Sequence, residues 1–174
     1  MNNKFFLMFY FFMLAFLIMF FSVFIFFDLY PQKYVSIIKK YAKEYDISPA
    51  LIASIINVES GYKKEAISPV GAVGLMQIMP QTAKWIEESD VNLSDVNTNI
   101  KIGCKYLAYL KTQFSNFECI IASYNAGPNK VKIWLNDKKY SYDGIKLIST
   151  PYKETNDYIK KIKNNLKVYN LFYK

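Results

Sequence analysis

Residues 47–80 read ISPALIASIINVESGYKKEAISPVGAVGLMQIMP, and the remainder of the chain is organised around them. Ser48 followed by Pro49 reads as a helix start: a hydroxyl placed to cap, then a residue whose missing N–H leaves nothing unpaired. Leu51, Ile52, Ile55, Ile56 and Val58 recur at helical spacing and predict one broad buried face. Glu59 falls on that face, and Gly61 follows where a left-handed cap ends a helix. A carboxyl group thus closes an apolar stripe at the negative pole of its own helix. Burial and the helix dipole both disfavour its charged form. The expectation is an acid that keeps its proton near neutral pH, as general acid catalysis requires.

Upstream, residues 5–27 form an uncharged, Phe-rich run that is apolar all round. At helical rise it reaches roughly 35 Å, enough to cross a hydrocarbon core. It is longer than a signal-peptide core, and no small-x-small cleavage site follows. Lys4 and the terminal amine precede it and Asp28 is the first charge after it. The positive-inside rule then puts residues 1–4 in the cytoplasm, a single membrane span at 5–27 and the rest outside the cell membrane. Residues 28–32 make a linker reaching at most ~18 Å, so residues 33–174 form one domain working close to the bilayer face.

The formal charge is +8, every basic residue is lysine, and there is no histidine. Such a chain suits anionic surfaces, lipid head groups or acidic wall polymers. Nucleic acid is excluded as a partner because its recognition leans on arginine forks. Without histidine, most zinc sites and Ser–His or Cys–His nucleophiles fall away, and no cofactor pattern is present. Cys104 and Cys119 lie on opposite arms of a predicted helical hairpin turning near Ser115 and Asn116. Their heights differ by on the order of 10 Å, which favours buried free thiols; a disulfide requires steeply crossed helices.

The domain reads as mainly α. Val35, Ile38, Tyr41, Ala42 and Tyr45 mark one amphipathic helix, and the Glu59 helix follows. Pro80 opens a helix containing Ala83, Trp85 and Ile86. Asn97 or Thr98 caps a long helix through Ile100, Cys104, Leu107 and Leu110. Phe117 to Tyr124, a helix from Pro128, and a last helix from about Tyr152 complete the series. Leu75–Met79 reads as a brief strand or an extended loop.

Three separated motifs, Glu59-Ser60, Gly74-Leu75-Met76-Gln77 and Ala122-Ser123-Tyr124-Asn125-Ala126-Gly127, resemble the soluble lytic transglycosylase domain, a family sharing the goose-type lysozyme fold. The likeness covers about residues 34–170. Pro151 with Glu154-Thr155 and Tyr158 resembles the family's closing helix, with Asn156 where an arginine is usual. The resemblance implies that the partner is the glycan strand of peptidoglycan. It implies cleavage of the β-1,4 bond between N-acetylmuramic acid and N-acetylglucosamine, with closure of a 1,6-anhydro ring.

In that scheme Glu59 alone serves as acid and then base, since the sugar's own C6 hydroxyl is the nucleophile. The resemblance also implies the substrate-binding set Ser60, Met76, Gln77, Tyr124, Asn125, Glu154 and Tyr158. Tyr124 would hydrogen-bond Glu59 or the reacting sugar, and Met76 would pack on a sugar face. Gln77 would meet the N-acetyl group or ring hydroxyls, and Gly71 and Gly74 would let the backbone approach the glycan. Ser60 would bond Glu59 or cap its helix; Asn125 would position Tyr124 or contact sugar. Two alternatives stand beside this reading: a hydrolytic goose-type muramidase, favoured by a second carboxylate such as Asp90, Asp95 or Asp143, and an inactive wall-binding scaffold module.

Overall fold

The computed structural model describes residues 3–174, with side chains from residue 6 onward; residues 1 and 2 of the expected cytoplasmic segment lie outside it. The chain divides into two compact units, residues 1–32 and 33–174. Helix α1 (Asn3–Leu29) belongs to the first, and its stretch Phe6–Leu29 is long and apolar enough to cross a membrane. No side chain of that stretch is buried within the protein. Its Ser22 hydroxyl donates to the Ile18 carbonyl one turn back at 2.8 Å, so the helix satisfies this polar group internally.

The second unit is an assembly of seven helices: α2 (Val35–Glu44), α3 (Pro49–Ser60), α4 (Pro80–Glu87), α5 (Val96–Gln113), α6 (Phe117–Ala126), α7 (Pro128–Leu135) and α8 (Lys153–Phe172). Prolines open α3, α4 and α7, where the fixed φ suits the first turn and no N–H is wasted. Helix α3 is the hub. Its Ile52, Ala53, Ser54, Ile55 and Ile56 are fully buried between α2 on one side and α8 on the other. Burying its isoleucines contributes roughly 1.5–3 kcal/mol each, which is why this apolar helix organises the domain. Helix α5 packs on α2, α4 and α6, and α6 in turn packs on α7 and α8.

Local details correct some expectations and fill in others. Ser48 precedes α3 but its side chain makes no capping bond; its carbonyl accepts from Leu51 and Ile52. Helix α5 is capped by Asp95, whose carboxylate accepts the Thr98 N–H at 2.8 Å, while Asn97 accepts the Tyr41 hydroxyl instead. No strand forms at Leu75–Met79: isolated bridges join Val73 to Ile67 and to Ile78, folding the segment into a tight loop. Trp85 is turned outward with 55% of its surface exposed, because α4 directs the small Ala83 inward. Cys104 and Cys119 are both buried, free thiols, in α5 and α6.

Candidate active site

Glu59 sits in the last turn of α3, half-buried, one residue before Ser60 and the left-handed Gly61 cap (φ 57°). The phenol of Tyr158, on α8, donates to Glu59 Oε1 at 2.6 Å. Burial is the main force on this carboxyl and lifts its pKa to about 7. The Tyr158 hydrogen bond pulls the other way, and the negative charge of Glu154 adds to the rise. Burial likewise holds the Tyr158 phenol well above its ordinary pKa, so it remains a donor. The result is a carboxyl group poised near neutrality, in contact, among the described residues, with a neutral donor and no cation.

The loop carrying Gly74-Leu75-Met76-Gln77 is fastened to this helix end. The Ser60 hydroxyl lies 2.9 Å from the Leu75 carbonyl and 3.0 Å from that of Ile56. Ser60 therefore ties α3 to the loop and makes no bond to Glu59. Tyr124 donates to the Met76 carbonyl at 2.8 Å, so its expected bond to Glu59 is replaced by the one from Tyr158. Met76 is corrected as well: its side chain is 0% exposed and packs so closely on Gly103 that a Cβ there would fall 2.3 Å from the sulfur. It cannot meet a sugar face. Gln77, at φ 48°, turns its amide N–H inward to the carbonyls of Gly74 (2.8 Å) and Ala66 (3.1 Å). Packing alone requires glycine at 74, since a Cβ would lie 2.3 Å from the Asn99 amide.

Asn99 is the residue that sequence reasoning missed. Fully buried on α5, it accepts the Met76 N–H at 2.8 Å and donates to the carbonyls of Val73 and Leu93, both at 2.9 Å. One amide side chain thus satisfies two backbone groups of a loop with no strand ladder of its own and a third at Leu93. The only signal in the sequence is a polar residue set beside the apolar Ile100 and Ile102 of α5. Asn125, near the end of α6, accepts the Thr155 hydroxyl of α8 at 2.8 Å; the cap itself is Gly127. Glu154 is exposed in the first turn of α8. From Gln77, Tyr124 and Asn125 a cleft of about 240 Å³ opens between the loop, α5 and α6.

A model of the family described as the Transglycosylase SLT domain matches residues 36–148. The chain belongs to the transglycosylase SLT domain family. It is 36% identical over 155 residues to the soluble lytic murein transglycosylase of Salmonella typhimurium, covering 83% of this chain and 23% of that protein. A membrane-bound lytic murein transglycosylase C from Haemophilus ducreyi is 29% identical over 160 residues, covering 75% and 44%. Among solved structures, an inactive glutamate-to-glutamine mutant of the lytic transglycosylase Slt from Pseudomonas aeruginosa superposes with a TM-score of 0.72. It shares 29% identity over 82% of this chain and 25% of that one. The chain therefore spans about a quarter of the soluble relative's length. The mainly α, lysozyme-like fold is that of the lytic transglycosylases.

The family match ends before α8, yet α8 supplies the partner of Glu59 in this SLT domain. The other carboxylates weighed as a second acid are occupied elsewhere. Asp95 caps α5, Asp143 accepts the N–H groups of Ile145 and Lys146, and Asp90 lies beside Lys84 on the exposed surface. Among the described residues no group of three or more His, Cys, Asp or Glu side chains is placed to hold a metal ion.

Proposed function

We propose that this SLT domain is a peptidoglycan lytic transglycosylase, anchored by α1 with its catalytic domain outside the cell membrane. It cuts the β-1,4 bond between N-acetylmuramic acid and N-acetylglucosamine. The observation that carries the reading is Glu59, half-buried at a helix end, lifted to a pKa of about 7 and hydrogen-bonded by a neutral phenol.

Protonated Glu59 gives its proton to the glycosidic oxygen as the C1–O bond breaks. The resulting carboxylate takes the proton of the sugar's own C6 hydroxyl, and O6 bonds to C1 to close the anhydro ring. Atoms balance without water, and the enzyme returns to its acid form. Because attack is intramolecular, proximity supplies much of the barrier reduction. Tyr158 holds one carboxyl oxygen in place and stabilises the anion that forms midway. Gln77 and Asn125, at the mouth of the cleft, orient the sugars; Ser60, Met76 and Tyr124 act by holding the loop. The glutamate-to-glutamine substitution in the inactive Slt mutant agrees with a glutamate doing this chemistry.

Glycosidases that use water need two carboxyl groups flanking the bond. Glu154, whose charge reaches Glu59, favours that second reading. Mass spectrometry of sacculi digested by the detergent-solubilised chain separates the two. Anhydro-muropeptides, one water lighter than reducing ends, are the expected product, and mostly reducing ends would overturn the assignment. The anchor is tested by extraction: the chain should stay with membranes in alkaline carbonate and leave them in detergent. The short tether that follows α1 confines cutting to glycan near the bilayer, and a flexible insert after Leu29 should change which strands are cut.

A further inference from the structure

The connection between α7 and α8 reads NDKKYSYDGIKLISTPY at residues 136–152. Two of its apolar residues go inward: Tyr140 and Leu147 pack against the core formed by Phe114, Cys119, Val131 and Trp134. Three others do not. Tyr142, Ile145 and Ile148 are each more than half exposed. Any one alone would be ordinary, but together within residues 142–148 they make an apolar patch.

The loop is ordered, so these side chains are held out rather than left loose. The Ile148 N–H donates to the Tyr140 carbonyl at 2.8 Å and closes residues 140–148 on themselves. Asp143 accepts the N–H groups of Ile145 and Lys146, both at 2.8 Å, and the Ser141 hydroxyl accepts that of Gly144 at 3.0 Å. The Tyr142 carbonyl accepts from Lys138 Nζ at 3.0 Å, and the Ile145 carbonyl from the buried Cys119 thiol at 3.4 Å. With its backbone groups paired in this way, the loop can enter a medium of low dielectric without leaving them orphaned.

Charge points to the medium. The acids of the loop, Asp137 and Asp143, are both turned to backbone N–H groups. Lys138, Lys139 and Lys146 lie exposed between and beside the apolar residues, and Lys160 of α8 lines a groove of about 440 Å³ together with Ile148. Tyrosine and isoleucine flanked by lysines suit an anionic bilayer surface, with the rings and aliphatic groups at the acyl boundary and the ammonium groups on lipid phosphates. A neutral glycan calls for none of those lysines.

We infer that residues 138–148 form a second membrane contact, seated on anionic lipid head groups with Tyr142, Ile145 and Ile148 in the interface. The inference rests on the reading of α1 as the anchor, and its test reads the two separately. An anchored domain needs only a weak contact of this kind, because its effective concentration at the surface is high.

The probe is the full chain with Ile145→Cys carrying an environment-sensitive fluorophore, reconstituted into vesicles of equal parts phosphatidylcholine and phosphatidylglycerol. Cys104 and Cys119 are buried and stay unlabelled. Emission should shift to the blue and be quenched by lipids brominated along their chains. Quenching should fall at least about threefold in phosphatidylcholine alone, and as much with Lys139→Gln and Lys146→Gln together. The same label at Val70→Cys, 76% exposed between α3 and α4, should give neither response. No quenching at 145, equal quenching at 70, or full quenching without the anionic lipid or the two lysines overturns the contact. A blue shift produced by soluble polyphosphate, with no quenching in vesicles, assigns the lysines to an acidic polymer and overturns it too. Alkaline carbonate decides the anchor: a chain retained but unquenched sinks the loop contact alone, and a chain stripped yet quenched sinks the anchor alone.

Discussion

Two glutamates occupy matching places in this fold and behave in opposite ways. Glu59 is the second-last residue of α3 and Glu87 the last of α4. Glu87 meets Lys105 at 2.7 Å and Lys101 at 3.4 Å, and the Lys105 hydrogen bond leads in holding its pKa below the ordinary value. Glu59 meets a phenol and is lifted to about 7 by burial. Standing at a helix's negative pole does not separate them; burial of Glu59 and the lysines facing Glu87 do. Lysine charges favour the anion of Glu87, whereas burial of Glu59 outweighs the tyrosine hydrogen bond, which by itself favours the anion.

The largest effect expected from this contrast is on turnover. Glu59→Gln should lower anhydro-muropeptide release by about 10²–10⁴-fold, the range for losing a general acid–base group. Glu87→Gln, assayed beside it, should change the rate less than about twofold. Equal losses in both would break the comparison.

Next comes pH. The acid form of Glu59 is depleted as pH rises through about 7, so kcat/KM should fall on that side. Tyr158→Phe removes the hydrogen bond that lowers this pKa, and the falling limb should move to higher pH. A limb that stays in place assigns the titration to another group.

Stability sharpens the contrast further. A folded pKa raised from 4.5 to about 7 means that ionising Glu59 costs stability. The cost is absent below the unfolded pKa, grows between 4.5 and 7, and is complete above 7. Glu59→Gln should therefore stabilise the domain above pH 7 by on the order of 1–3 kcal/mol, and not at pH 4, as thermal melts will read. Glu87 carries the opposite sign. Its lowered pKa contributes stability above the unfolded value, lost as pH falls through the folded one. Glu87→Gln should cost about 0.5–1 kcal/mol at neutral pH, the smallest effect of the set.

Much of the frame is legible along the chain. Pro49 and Gly61 bound α3, Pro80 and Pro128 start α4 and α7, and the apolar spacing between them marks the buried faces. These are local matters of φ, missing donors and helical period. Which phenol reaches Glu59 is not. Tyr158 stands 99 residues away, and it reaches the carboxyl because α8 packs along α3. Tyr124, chosen from its motif, is instead spent on the Met76 carbonyl. Asn99 escaped notice for the same reason: its three bonds go to a loop 23 or more residues upstream and to Leu93, and helical spacing says nothing of them.

The sequence by itself determined the apolar N-terminal helix, the helical order of the domain and Glu59 at the end of a buried stripe, because those follow from neighbours within a turn or two. Only the tertiary structure decided that Tyr158 faces the carboxyl, that Met76 and Ser60 hold a loop, and that Trp85 looks outward. Each of those depends on where distant helices come to rest against one another. Burial and hydrogen bonding are properties of the assembled space around a group, which chain order alone does not specify.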